Sequence, residues 1–149
     1  MRSLPMIGML LLLGACGGSS YPVTLTAAPT SGPEDVIACV RGKLKPLGYR
    51  QTSYDDTDYR LTAAHADTTA TRADLQFRRN IDRLEVQAVA AATGSTSLTV
   101  AGRTFAEFET HRGPTEEEQR ASAGVRSAAQ SIVDACGALG AVDSTRVPG

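Results

Sequence analysis

The spacing of apolar residues changes twice along the chain, and that change constrains the fold more than any other feature. In "PEDVIACVRGKL" Val36, Val40 and Leu44 recur every four residues, with Cys39 three beyond Val36. Far downstream Val125, Ala128, Ala129, Ile132, Val133, Cys136 and Leu139 follow three- and four-residue steps. Both segments read as amphipathic helices. Between them the period drops to two: Tyr59, Leu61 and Ala63 share a face, as do Leu75 with Phe77, Leu84 with Val86, Ala88 and Ala90, and Leu98 with Val100. That alternation is the mark of half-buried strands.

Punctuation sharpens the element ends. Pro33 opens the first helix, Glu34 and Asp35 suit its positive end, and Pro46 and Gly48 close it. For the last helix Thr115 and Glu118 form a capping box, which predicts a start at "PTEEEQR", with Glu116, Glu117 and Glu118 in the first turn. Ala101-Gly102 reads as a turn before a final short strand, "RTFAEF". The order is helix, four or five strands joined mostly as hairpins, then helix. It predicts an α+β two-layer sandwich, with both helices on one face of a mainly antiparallel sheet. Arg60, Thr62, Gln76, Arg78, Glu85 and Gln87 fall on the other face, toward solvent or a partner.

Cys39 and Cys136 sit on or beside the buried stripes of the two helices. A bridge between them closes a loop of nearly a hundred residues, worth about 4 to 5 kcal/mol by the loop-entropy argument. Two buried free thiols are the competing reading. A metal pair is a weaker one, because two cysteines without nearby histidines do not fill a tetrahedral site. The core they would staple is light, with no Trp, three Phe and four Tyr in 149 residues. The same poverty of aromatic faces counts against sugar platforms and single-stranded nucleic-acid grooves.

The first fifteen residues have another logic. Arg2 precedes a mostly apolar run from Leu4 to Leu13, and Gly14 and Ala15 follow it, the layout of a secretory signal. Ten residues of helix reach only about 15 Å, half of a roughly 30 Å hydrocarbon core, so a permanent membrane span is disfavoured. Leu13-Gly14-Ala15-Cys16 resembles the lipobox of bacterial lipoproteins. The resemblance implies cleavage between Ala15 and Cys16, a diacylglycerol on the Cys16 sulfur, acylation of the freed amine and a firm membrane anchor. Gly17, where an aspartate would signal inner-membrane retention, implies the outer membrane facing the periplasm, or the outer surface of a single-membrane cell. A helix carrying Cys, an "LGY" exit into hairpins and a last helix ending in Cys also resemble the layout of small uncharacterised envelope lipoproteins.

These readings divide the chain into a signal peptide (1–15), a lipidated Cys16 with a flexible Gly/Ser/Thr/Pro-rich tether (16–32), one α+β domain (33–140) and a flexible tail (141–149). The partners they imply are a membrane, held through the lipid, and an envelope protein. With 15 basic against 16 acidic side chains and no compact basic block, nucleic acid is not an expected partner.

No motif for catalysis, phosphate binding or a cofactor occurs. Asp55, Asp56 and Asp58 lack the glycine and distant glutamate of a calcium loop and read as a solvated turn. His65 and His111 are the only histidines, and neither stands in a metal-ligand spacing. The reading is a non-catalytic interaction or structural module. The alternatives are an envelope hydrolase or metal-dependent enzyme using His65 or His111, and a domain that parts to hold an apolar ligand.

Overall fold

The computed structural model describes residues 21–141. The segment read as a signal peptide, the Ala15–Cys16 junction, Cys16 itself and the tail beyond residue 141 lie outside the described residues. Eight elements follow in order: β1 (Val23–Ala27), α1 (Pro33–Leu44), β2 (Arg50–Asp55), β3 (Arg60–Asp67), β4 (Phe77–Ala90), β5 (Thr96–Thr110), β6 (Gly113–Gln119) and α2 (Ala123–Cys136). The fold is α+β, with one antiparallel six-stranded sheet in the order β1-β5-β4-β3-β2. The second edge of the long β5 is shared: β1 pairs with residues 98–102 and β6 with residues 104–110.

Both helices pack on the sheet face that carries Leu61, Ala63, Leu84, Val86, Ala88, Leu98 and Val100. Val36, Val40 and Leu44 of α1, and Val125, Ala129, Ile132 and Cys136 of α2, complete that core, as their spacing requires. Cys39 and Cys136 are joined by a disulfide, with Cα atoms 5.8 Å apart. α1 closes before Pro46, and Gly48, at φ 81°, supplies the left-handed residue that reverses the chain. Tyr49 N–H then donates back to the Leu44 carbonyl at 2.9 Å, tucking the ring under the helix.

Several sequence expectations change. The tether reading of residues 16–32 fails from Val23 onward, because "VTLTA" forms β1 along β5 and places Val23, Leu25 and Ala27 against the core. Pro29 is fully buried, and Thr30 N–H donates to the Leu139 carbonyl. The sheet has six strands rather than four or five. Leu75 is fully exposed, and β4 runs unbroken from Phe77 to Ala90. Ala101-Gly102 is not a turn but the middle of β5. Gly102 is small for a packing reason: a Cβ there would meet Val125 Cγ2 at 2.9 Å and Val23 Cγ1 at 3.0 Å. β5, β1 and α2 are thus closely packed at this point.

The largest correction concerns the last helix. α2 starts at Ala123 with Ser122 as its cap, and Thr115 to Gln119 lie in β6. Helix propensity differences among ordinary residues are only tenths of a kcal/mol, so a full ladder of pairings with β5 outweighs three glutamates. Strand geometry also turns Glu116 and Glu118 to one face, opposite Glu107 and Phe105.

Candidate functional site

Two concave places gather polar side chains. The first is a notch of about 470 Å³ between the end of the sheet and the start of α2. His65 on β3 stands directly opposite Asp82 on β4, both on the helix-facing side. His65 Nδ1 donates to the Gly48 carbonyl at 2.9 Å, since a carbonyl can only accept, and its ring lies 5.6 Å from that of Tyr49. Asp82, only 7% exposed, is fully engaged. Its Oδ1 accepts from Thr104 Oγ1 at 2.5 Å and its Oδ2 from Ser122 Oγ at 2.8 Å. Ser122 Oγ in turn accepts from Val125 N–H at 2.9 Å, and Ser122 N–H donates to Thr104 Oγ1. The cluster ties β4 and β5 to the positive end of α2. Ser122 is therefore committed to Asp82 and the helix cap rather than paired with the imidazole, which argues against a Ser–His nucleophile. Asn80 Oδ1, at the edge of the notch, is buried without a partner.

The notch also has a pH signature. Burial first, and the nearby Asp82 carboxylate second, push the Tyr49 phenol well above the usual tyrosine range. In the unfolded chain Tyr49 ionises near pH ~10, while the folded chain keeps the phenol neutral there. The stabilisation this implies is complete below that pH and is lost progressively as pH rises above it toward the raised value of the folded chain. We therefore expect the urea midpoint to fall between pH ~8 and pH ~11, and Tyr49→Phe to remove a clear part of that fall. An identical fall in the variant would contradict the assignment.

His111 lies elsewhere, exposed on the turn between β5 and β6. The structure does not bring the two histidines into one cluster of ligands: among the described residues no group of three or more His, Cys, Asp or Glu is placed to hold a metal ion. Asp55 uses its Oδ1 to accept from the backbone N–H groups of Thr57 and Asp58, the solvated turn its sequence suggested.

The second place is the open face of the sheet, opposite the helices, where a shallow hollow of about 830 Å³ lies over β2, β3, β4 and β5. Arg60, Thr62, Glu85 and Gln87 face this side as expected, but the side chains that define the hollow are others. The pairing register lines up Arg103 on β5, Arg83 on β4, Ala64 on β3 and Arg50 on β2 in one row across the strands. Beside it runs an apolar row of Phe105, Ile81 and Ala66.

Arg83 and Arg103 are direct cross-strand neighbours, an arrangement that like charges disfavour. β6 relieves it from the side. Arg83 passes over the Phe105 ring, 4.6 Å from its centre, and donates to Glu116 at 2.7 Å. Arg103 lies 3.8 Å from Glu118, and Arg79 holds Glu107 at 3.1 Å. With the arginine side chains roughly half exposed, such pairs are worth about 0 to 1 kcal/mol each, so the row contributes little to folding and mainly shapes the field over the hollow.

The sequence held part of this signal. Arg79, Arg83 and Glu85 on one side and Glu116 and Glu118 on the other already stand at even spacings. The alignment of Arg50, Arg83 and Arg103 depends on register between distant segments, which no local pattern carries. Comparison of the chain with known protein families finds none that matches, and comparison with curated proteins finds no match.

Proposed function

We propose that this chain is a lipid-anchored envelope lipoprotein whose folded domain is a non-catalytic protein-binding module, working through the open face of the sheet. The anchor reading rests on the apolar run, the small residues and Cys16 of the lipobox-like segment. It places the protein on the outer membrane facing the periplasm, or on the outer surface of a single-membrane cell. The disulfide between Cys39 and Cys136 suits such an oxidising compartment. Among the described residues no helix is long and apolar enough to cross a membrane.

The observation that carries the module reading is the hollow: a charged row beside an apolar row, on a face that neither helix covers. β1 shortens the tether this reading allows. Only residues 17–22 separate Cys16 from the sheet, which at full stretch reach about 20 Å. The module would sit close to its membrane.

An enzyme at His65 is the second reading, favoured by its place opposite Asp82 in the notch. It has less support, because both oxygens of Asp82 and the hydroxyl of Ser122 are already engaged with one another and the helix cap.

Cys16→Ser tests the anchor. Expressed with its signal in a bacterial host, the parent chain is expected in the membrane fraction with fatty-acid label, and the variant is expected to lose the label and leave the membrane. A variant that stays in the membrane fraction would refute the reading.

A further inference from the structure

We propose that the hollow on the open sheet face receives an acidic, extended peptide segment of a partner protein, with its carboxylates on the row formed by Arg103, Arg83 and Arg50. The inference rests on the module reading and names the chemistry of the partner.

Four arginines line the hollow, Arg50, Arg79, Arg83 and Arg103, against a single acid, Glu85. The glutamates that pair with three of them, Glu107, Glu116 and Glu118, stand to one side and do not line it. Three of the arginines are thus balanced from one side only, by Glu107 of β5 and by Glu116 and Glu118 of β6, while Arg50 at the far end of the row has no such partner among the described residues. Guanidinium groups keep donors for a ligand: each has five N–H groups, Arg83 gives Glu116 one hydrogen bond, and Arg103 stands at ion-pair distance from Glu118 without one. Arg50 makes no ion pair among the described residues. Planar forks of this kind match carboxylates two bonds at a time.

Geometry narrows the occupant. Four strands at about 4.8 Å spacing make the row about 14 Å long, the reach of some four residues of extended chain. Ala64 breaks the row between Arg83 and Arg50 and leaves room for a backbone to lie down. Beside the row the exposed Ala66 and the half-buried Phe105 flank Ile81, which is only 8% exposed, and offer a narrow apolar edge to the side chains between the acids. A lone small anion would leave most of an 830 Å³ hollow wet. An anionic bilayer is flat, and to press on this face it would also meet Glu116 and Glu118. A narrow acidic chain can lie over Arg50 and the free donors of Arg83 and Arg103 with far less of the β6 border against it.

The experiment uses the full chain, extracted in detergent, and a fluorescent peptide of alternating glutamate and valine. Binding is read by anisotropy, beside the matching lysine–valine peptide, with inorganic phosphate and glycerophosphoglycerol, the soluble headgroup of an anionic lipid, as competitors. We expect the glutamate peptide to bind, the lysine peptide not to bind, and equimolar phosphate not to displace it. The double variant Arg83→Glu with Arg103→Glu should weaken binding at least about tenfold.

Ala64→Tyr, which fills the gap without changing charge, should do the same, while Arg112→Glu on the β5–β6 turn should stay within about twofold. Absence of peptide binding, equal binding by the lysine peptide, displacement by equimolar phosphate or glycerophosphoglycerol, or indifference to both hollow variants would each overturn the proposal. Such a failure leaves the anchor reading standing, which is lost instead if Cys16→Ser remains at the membrane.

Discussion

Replacing Cys39 and Cys136 together by alanine is expected to lower the unfolding free energy by about 4 to 5 kcal/mol. The bridged residues are 97 positions apart, so the bond removes a long loop's worth of freedom from the unfolded chain. It joins the first helix to the last, and Cys136 is fully buried between α2 and the sheet. Domains of this size have only about 5 to 15 kcal/mol of net stability, so the bridge accounts for a large share of it. The core contains no tryptophan and relies on Val, Leu, Ile and Ala, which leaves little reserve. Urea unfolding of the parent and variant chains checks the figure. A loss under about 1 kcal/mol would show that the unfolded chain is not freed by cutting the loop.

The second large effect belongs to Asp82. Asp82→Ala is expected to cost about 3 kcal/mol, because two hydrogen bonds to a carboxylate are lost and two hydroxyls are left inside without their acceptor. One is the Ser122 hydroxyl that caps α2, the other the Thr104 hydroxyl that holds the Ser122 backbone. Asp82→Asn keeps the shape and one acceptor oxygen, and is expected to cost about 1 kcal/mol. The contrast separates hydrogen bonding from the space the side chain fills. Equal losses in the two variants would mean that charge rather than hydrogen-bond acceptance holds the cluster together.

The legible parts of this fold were those whose signal is local. Val36, Val40 and Leu44 declare one buried helix stripe, and Val125 to Cys136 another. The position of both cysteines on or beside those stripes favoured their pairing over two free thiols, and the structure shows the bond. The misread parts are those where a distant partner decides. Three consecutive glutamates after a threonine favour a helix start in isolation, yet β5 pairs with them and Ser122 provides the cap instead.

Gly102 looks like a turn residue until Val23 and Val125 are seen to close on it from segments far away in sequence. β1 is five residues of plain alternation inside a stretch whose glycines, serines and prolines suggested a tether. The site follows the same rule. Arg83 and Arg103 are twenty residues apart and become neighbours only through the β4–β5 register, and Arg50 joins them through two more pairings. Asp82 lay between two recognised strand segments and became a buried anchor because they are one strand.

The central claim, a module held to its membrane by Cys16, is tested most directly by the intact mass of the protein extracted from bacterial membranes in detergent, before and after reduction. The account predicts a chain beginning at Cys16 and carrying acyl groups, whose mass rises by two hydrogens when the Cys39–Cys136 bond is reduced. A chain without acyl groups, cut elsewhere or not cut at all, would contradict it.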